Sequence, residues 1–214
     1  MQKASICLIV ENDYYGTTQW FETIGFKVEP KEIVFLEEKA EPTKNVMLIG
    51  DIEVELLVAF KPNCDKRLIE YFKPIATQTI EVTNQLTDLG INTELFALAT
   101  NDYICILNPF VFLQNNWLTE LMYYHHNIEK SGMVSILNDF ENLTYSALLA
   151  TESEALISVF IPNNYMLEPN GVFLITKNSL PNTSTTNIQR TYLKEEYKNF
   201  YIPSQTCILL SQKH

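Results

Sequence analysis

Residues 97–121 read ALATNDYICILNPFVFLQNNWLTEL, and the order of signals inside this stretch decides the fold. The end of a short helix (Leu95, Phe96, Leu98, Ala99) runs into the polar turn Asn101-Asp102. Five residues, YICIL at 103–107, then form the most apolar run of the chain. They do not alternate between apolar and polar, so the strand they predict is covered on both faces, the mark of a parallel sheet under helices. Asn108-Pro109 ends it. Trp117, Leu118, Leu121 and Met122 then recur at helical spacing, predicting a helix over 116–128 that Gly132 breaks.

The same grammar extends outward in both directions. SICLIV at 5–10 predicts a strand, TTQWFETIG a helix capped by Thr17 or Thr18 and ended by Gly25, and EIVFLE at 32–37 another strand. NVMLIGD and VELLVAF predict one or two more strands. Pro62 and Asn63 open a helix carrying Leu68, Ile69, Tyr71 and Phe72, which Pro74 closes. QTIEVT at 78–83 alternates as a strand, and Asn92 or Thr93 starts the helix that feeds the decisive stretch. Downstream, MVSIL, ALISVFIP and GVFLIT predict three strands, and NTSTTN at 182–187 predicts a loop within one domain, because the residues after it are too few for a second core.

Composition narrows the function classes. With 214 residues, 46% hydrophobic and 19% charged, the chain can bury a core without metal or disulfide staples. The 26 acidic residues against 15 basic ones give a formal net charge of -11, which repels a phosphate backbone, so nucleic acid is not an expected partner. Neither GxGxxG nor GxxxxGK[ST] occurs among the six glycines, which disfavours dinucleotide and P-loop chemistry. Cys7, Cys105 and Cys207 lie in apolar runs and no CxxC pair occurs, so the four cysteines read as reduced thiols. The apolar run near the N-terminus meets Glu11 too early for a signal peptide, and no stretch approaches the roughly 18 apolar residues of a membrane span. The expected location is the cytoplasm.

Several segments carry a resemblance that periodicity does not supply. ASICLIVEND resembles the first strand of family 2 glycosyltransferases, with Asn12 at its nucleotide-side end, and EIVFLEE resembles the second strand, whose acidic end Glu37 and Glu38 would form. In the decisive stretch Asn101, Asp102, Tyr103, Ile104, Asn108, Pro109, Trp117 and Leu118 match the family's turn, strand and following helix. GMVSIL, GVFLITKNSL and YKNFYIPSQTCIL with Pro203 resemble the later strands. The resemblance implies an α/β fold of the GT-A, nucleotide-diphosphosugar transferase type. It would be a single domain over residues 1–214, with a mainly parallel mixed sheet flanked by helices, a nucleotide-binding-type half over 1–110 and a truncated acceptor-type half over 111–214.

The resemblance also implies chemistry that this sequence lacks. Sugar transfer from a nucleotide diphosphate uses Mg²⁺ or Mn²⁺ held by hard oxygens, which the family supplies from an Asp-x-Asp after the Tyr-Ile strand. Here that place reads Asn108-Pro109-Phe110, a neutral amide and an apolar ring. The general base of the family has only Glu195-Glu196 as counterpart, beside Lys194 and Lys198 and poorly spaced, which reads as a solvated surface pair. No catalytic residue, metal ligand or cofactor is therefore expected. Asn12, Glu37 and Asn108 would touch a nucleotide if the site is retained, and Tyr14 and Tyr15 would either stack on a base or cover a sheet end.

Adjacent residues on a helix point about 100° apart, so His125 and His126 cannot share one metal, and Trp117 reads as core. The expected function is that of a degenerate, non-catalytic transferase-like protein acting in binding, scaffolding or assembly, with a protein partner or a second copy of itself and a possible nucleotide-sugar. The alternative is an active transferase with a metal-independent site in which Lys177 or Arg190 replaces the cation.

Overall fold

The computed structural model describes residues 2–30, 45–82, 86, 88–107, 109, 113, 116–127, 131–137, 148–149, 158–161, 172–179 and 198–203. In chain order these form β1 (Lys3–Val10), α1 (Tyr14–Thr23), β2 (Phe26–Pro30), β3 (Asn45–Ile49), β4 (Ile52–Phe60), α2 (Lys66–Phe72), β5 (Gln78–Glu81), α3 (Asp88–Leu98), β6 (Tyr103–Leu107), α4 (Trp117–Asn127), β7 (Ser131–Leu137), β8 (Leu148–Leu149), β9 (Ser158–Ile161), β10 (Val172–Thr176) and β11 (Lys198–Pro203). All strands belong to one mixed sheet, ordered β2-β3-β4-β1-β6-β10-β7-β11-β9-β8, with β5 also against β4. Parallel pairs β5–β4, β4–β1 and β1–β6 form its heart. Antiparallel β10 then wedges between β6 and β7, and β11 runs parallel to β7.

The unbroken apolar runs separate cleanly into two cores once the pleat assigns alternate residues to opposite faces. Ile6, Leu8 and Val10 of β1, Leu56, Val58 and Phe60 of β4, and Cys105 and Leu107 of β6 pack under α1, α2 and α4. Cys7 and Ile9, Leu57 and Ala59, and Ile104 and Ile106 pack under α3 through Ile91, Leu95 and Phe96. Both faces need apolar residues, which is why these strands do not alternate. Trp117 is core, as its spacing predicts, and its buried indole N–H donates to the Ile24 carbonyl at 3.0 Å, tying the start of α4 to the end of α1.

Local differences from the sequence expectation have local causes. Asp13, not Thr17 or Thr18, caps α1: its Oδ1 accepts from the Gly16 N–H at 3.0 Å, and both threonines lie buried inside the helix. An aspartate one turn upstream outcompetes them because its side chain reaches the free N–H groups without backbone distortion. Pro62-Asn63 forms a turn, with Asn63 at φ 66°, and Asp65 caps α2 instead. The helix before β6 begins at Asp88, earlier than Asn92 or Thr93. Gly132 lies inside β7, so it does not act as the stop of α4. β2 was not signalled by the sequence. The predicted strand at 32–37 and the loop at 182–187 lie outside the described residues.

The Asn101-Asp102 turn sits at the start of β6 and is held from beneath by a buried carboxylate. Glu55, 8% exposed on β4, accepts from the Thr100 N–H at 2.9 Å, from the Thr100 hydroxyl and from the Asn101 side-chain amide at 3.3 Å, while the Asn101 N–H donates to Ser5 Oγ at 3.2 Å. A buried acceptor with three donors is stable; the donors without it are not. Glu55→Leu is therefore expected to lower stability by about 2–3 kcal/mol in urea unfolding, and Glu55→Gln by less, because the amide oxygen keeps part of the network.

Candidate functional site

Because β5, β4, β1 and β6 run parallel, their C-terminal ends share one edge of the sheet. The chain leaves β1 for β4 on one side and later returns to β6 on the other, so the crevice at these ends is a topological switch point, the place where open α/β sheets bind ligands. Asn12 lies exposed in the bend that follows β1. Pro109 lies at the end of β6. Asn108, Phe110, Glu37, Glu38, Glu195, Glu196 and Arg190 lie outside the described residues. The parallel neighbour of β1 is β4, not a strand at 32–37, and the residue that follows β4 into the crevice is Lys61.

Lys61 is the centre of the rim. Its Nζ lies 2.5 Å from Glu11 Oε1, in the loop after β1, and 2.8 Å from Asp88 Oδ1, at the start of α3. Burial works against its charge, yet the hydrogen bonds to Asp88 and Glu11 outweigh that and raise its pKa above the ordinary lysine value. In the first turn of α2, Arg67 makes a two-pronged contact with Asp65, with Nη2 to Oδ2 at 2.6 Å and Nε to Oδ1 at 3.2 Å. These bonds hold the Asp65 carboxyl below its usual range. The same guanidinium stands 4.6 Å from the Tyr14 ring centroid and 5.4 Å from that of Tyr15, whose rings meet edge to face. Tyr14 is half-buried and Tyr15 is 65% exposed.

Other candidates fall elsewhere. The Lys177 backbone N–H donates to the Asp102 carbonyl at 2.9 Å, which puts Lys177 at the N-terminal end of β6, on the opposite edge from the crevice. It cannot replace a cation there. His125 is buried with its ring edge-on to Tyr103 at 5.7 Å while His126 is exposed, so the two diverge as helical geometry requires. Cys7, Cys64 and Cys105 are free thiols; burial, then the Asp65 charge, pushes Cys64 up to about 11, and burial raises the other two as well. Sequence reasoning missed Glu11, Lys61, Arg67 and Asp88. The available signal was Lys61 as the first polar residue after the VELLVAF run.

By residue chemistry, the Asn108-Pro109-Phe110 segment supplies no carboxylate to a divalent cation. Asn108 offers a neutral oxygen and Phe110 none, and among the described residues no group of three or more His, Cys, Asp or Glu side chains gathers to hold a metal. At the rim itself the two carboxylates nearest each other in function, Glu11 and Asp88, have an ammonium between them.

With this geometry in view, comparison with known proteins is informative about the fold. The sequence matches no protein-family model and no curated protein. Among solved structures, it is similar to glucosyl-3-phosphoglycerate synthase from Mycobacterium tuberculosis in complex with Mn²⁺, UDP-glucose and phosphoglyceric acid. Identity is 14% and TM-score 0.51, over 84% of this chain and 59% of that one. It is also similar to S. aureus TarS 1–349, with 10% identity and TM-score 0.51 over 97% of this chain and 62% of that one. The fold is thus GT-A-like, an α/β domain with a mixed sheet flanked by helices. The chain spans about 60% of the length of these structures. Among the described residues no helix is long and apolar enough to cross a membrane.

The Lys61 bridge has a pH signature. A lysine whose folded pKa is raised adds stability below its unfolded value, and that contribution is lost as pH rises through the folded value. Lys61→Met should therefore cost about 0.5–1 kcal/mol at neutral pH, small because both carboxylates are largely in solvent. The gap to the unaltered protein should close at strongly alkaline pH. A gap independent of pH in urea titrations would contradict the ion-pair account.

Proposed function

We propose that this chain is a degenerate GT-A-like protein that binds and assembles without transferring a sugar. The observation that carries the reading is the electrostatic state of the crevice. A nucleotide diphosphate needs free positive charge or a metal at the strand ends. Here Lys61 is committed to Glu11 and Asp88, and Arg67 to Asp65. In these pairs three carboxylates, Glu11, Asp65 and Asp88, stand against two cations, so a diphosphate meets net repulsion. The replacement of Asp-x-Asp by Asn108-Pro109-Phe110 supports the same reading from the sequence.

A protein partner or a second copy is then the natural ligand class, and the acidic surface favours partners with basic patches. The free thiols Cys7, Cys64 and Cys105 suit a reducing cytoplasm.

One observation favours a second reading, an active metal-independent transferase for a nucleotide-diphosphosugar. Lys61 and Arg67 do stand on the edge where donors bind in this fold class, and a donor that displaced their carboxylates would find two cations, with Asn12, Glu37 and Asn108 as its further contacts.

A panel of nucleotide-diphosphosugars with and without Mn²⁺, read by thermal unfolding, separates the readings. Ligand at one hundred times its Kd stabilises by about 2.7 kcal/mol, which for a chain of this size raises Tm by roughly 5–10 °C. The proposal expects no shift and no sugar release. A clear shift that Lys61→Met and Arg67→Met abolish would overturn the electrostatic argument against binding, and any sugar transfer would establish the second reading in its place.

A further inference from the structure

We infer that the outer edge of β2 is a self-association surface, and that its occupant is β2 of a second copy of this chain. Among the described residues no strand pairs with that edge, which ends the sheet. Its backbone polarity follows from the neighbouring hairpin. β3 and β4 are joined by the two residues Gly50-Asp51, with Gly50 at φ 58°, the conformation of the first central residue of a type II′ turn. In such a turn the flanking residues, Ile49 and Ile52, form a hydrogen-bonded pair. Ile49 and Met47 therefore turn their backbone groups toward β4, and by alternation Leu48 and Val46 turn theirs toward β2. Their partners in register are Lys27 and Glu29. Phe26, Val28 and Pro30 are left with their backbone groups directed outward.

That outward set is self-complementary. Laid antiparallel about a two-fold axis through Val28, two copies place Val28 against Val28, Lys27 against Glu29 and Phe26 against Pro30. The Val28 N–H of each copy meets the Val28 carbonyl of the other, and each Phe26 N–H meets a Pro30 carbonyl. Every outward N–H is used. The missing donor falls on Pro30, which has none to offer, so its place on the outer side of an edge strand leaves no ladder bond broken. Base stands opposite acid at both flanking positions, a pairing that stabilises antiparallel strands where like charges would not. Val28 is 52% exposed and Lys27 is exposed, so side chains on both faces of this strand reach solvent.

A lysine and a proline on an edge also guard against indiscriminate pairing. The two roles agree here: a register that sets Lys27 against Lys27 is repelled, and the two-fold arrangement closes on itself without leaving an end for a third copy. The area available to five residues a side is below that of standard stable interfaces, so the pair is a transient one unless other surfaces join it. The inference rests on the sheet edge alone and is indifferent to what the crevice binds.

Sedimentation velocity of the full chain from micromolar to millimolar concentration tests it. Reversible dimers are expected for the unaltered protein. Lys27→Glu and Glu29→Lys should each weaken association about tenfold or more by setting like charges opposite each other. The double exchange K27E/E29K should restore it, which separates a lost interface from a lost fold. Val28→Pro should abolish dimers, since it removes an outward N–H and no bond to β3, with unchanged far-UV circular dichroism as the check. A protein that is monomeric throughout, single exchanges that associate like the unaltered chain, or a double exchange that fails to restore association would each overturn the inference.

Discussion

Seven consecutive residues of β1, Ala4 to Val10, are buried, and both neighbours of that strand, β4 and β6, run parallel to it. This two-sided burial is the constraint on which the remaining architecture depends. A strand with no solvent face must have apolar side chains in both directions and helices above and below. α1, α2 and α4 close one face and α3 the other. Parallel neighbours in turn require crossovers, and the crossovers put every connecting loop that follows a parallel strand on one edge. The crevice exists because β1 is central.

The two edges of the parallel region do different work. At the N-terminal edge Glu55, Ser5, Thr100 and Asn101 make a hydrogen-bond network that seats β6. The Asn-Asp turn that stands out in the sequence is therefore structural. At the C-terminal edge the polar groups belong to different elements and are joined across them: Lys61 to Glu11 and Asp88, Arg67 to Asp65 and the two tyrosines. Charge that a transferase would direct at a ligand is here directed at the protein's own side chains.

The strands around the decisive stretch were legible because burial leaves a direct imprint on composition: SICLIV, VELLVAF, YICIL and GVFLIT are all strands at the expected places. Helix starts were less legible, since Asp13 and Asp65 compete with nearby threonine, proline and asparagine for the same role, and small differences in reach decide the outcome. The position of Asn12 after the first strand was readable because the apolar run stops just before it. Glu11, Lys61, Arg67 and Asp88 were not, because an ion pair between residues tens of positions apart leaves no local pattern.

By itself, then, the sequence determined the class of fold, the two-faced burial of the central strands, the core role of Trp117 and the absence of a carboxylate from Asn108-Pro109-Phe110. These depend on hydrophobic periodicity and residue chemistry, which are local properties. Only the tertiary structure decided which strand lies beside β1, which edge holds Lys177, how Lys61 and Arg67 are paired, and that β2 ends the sheet with its outward groups free of any described strand. Those are properties of distance between remote segments, and distance is set by the packing of the whole chain.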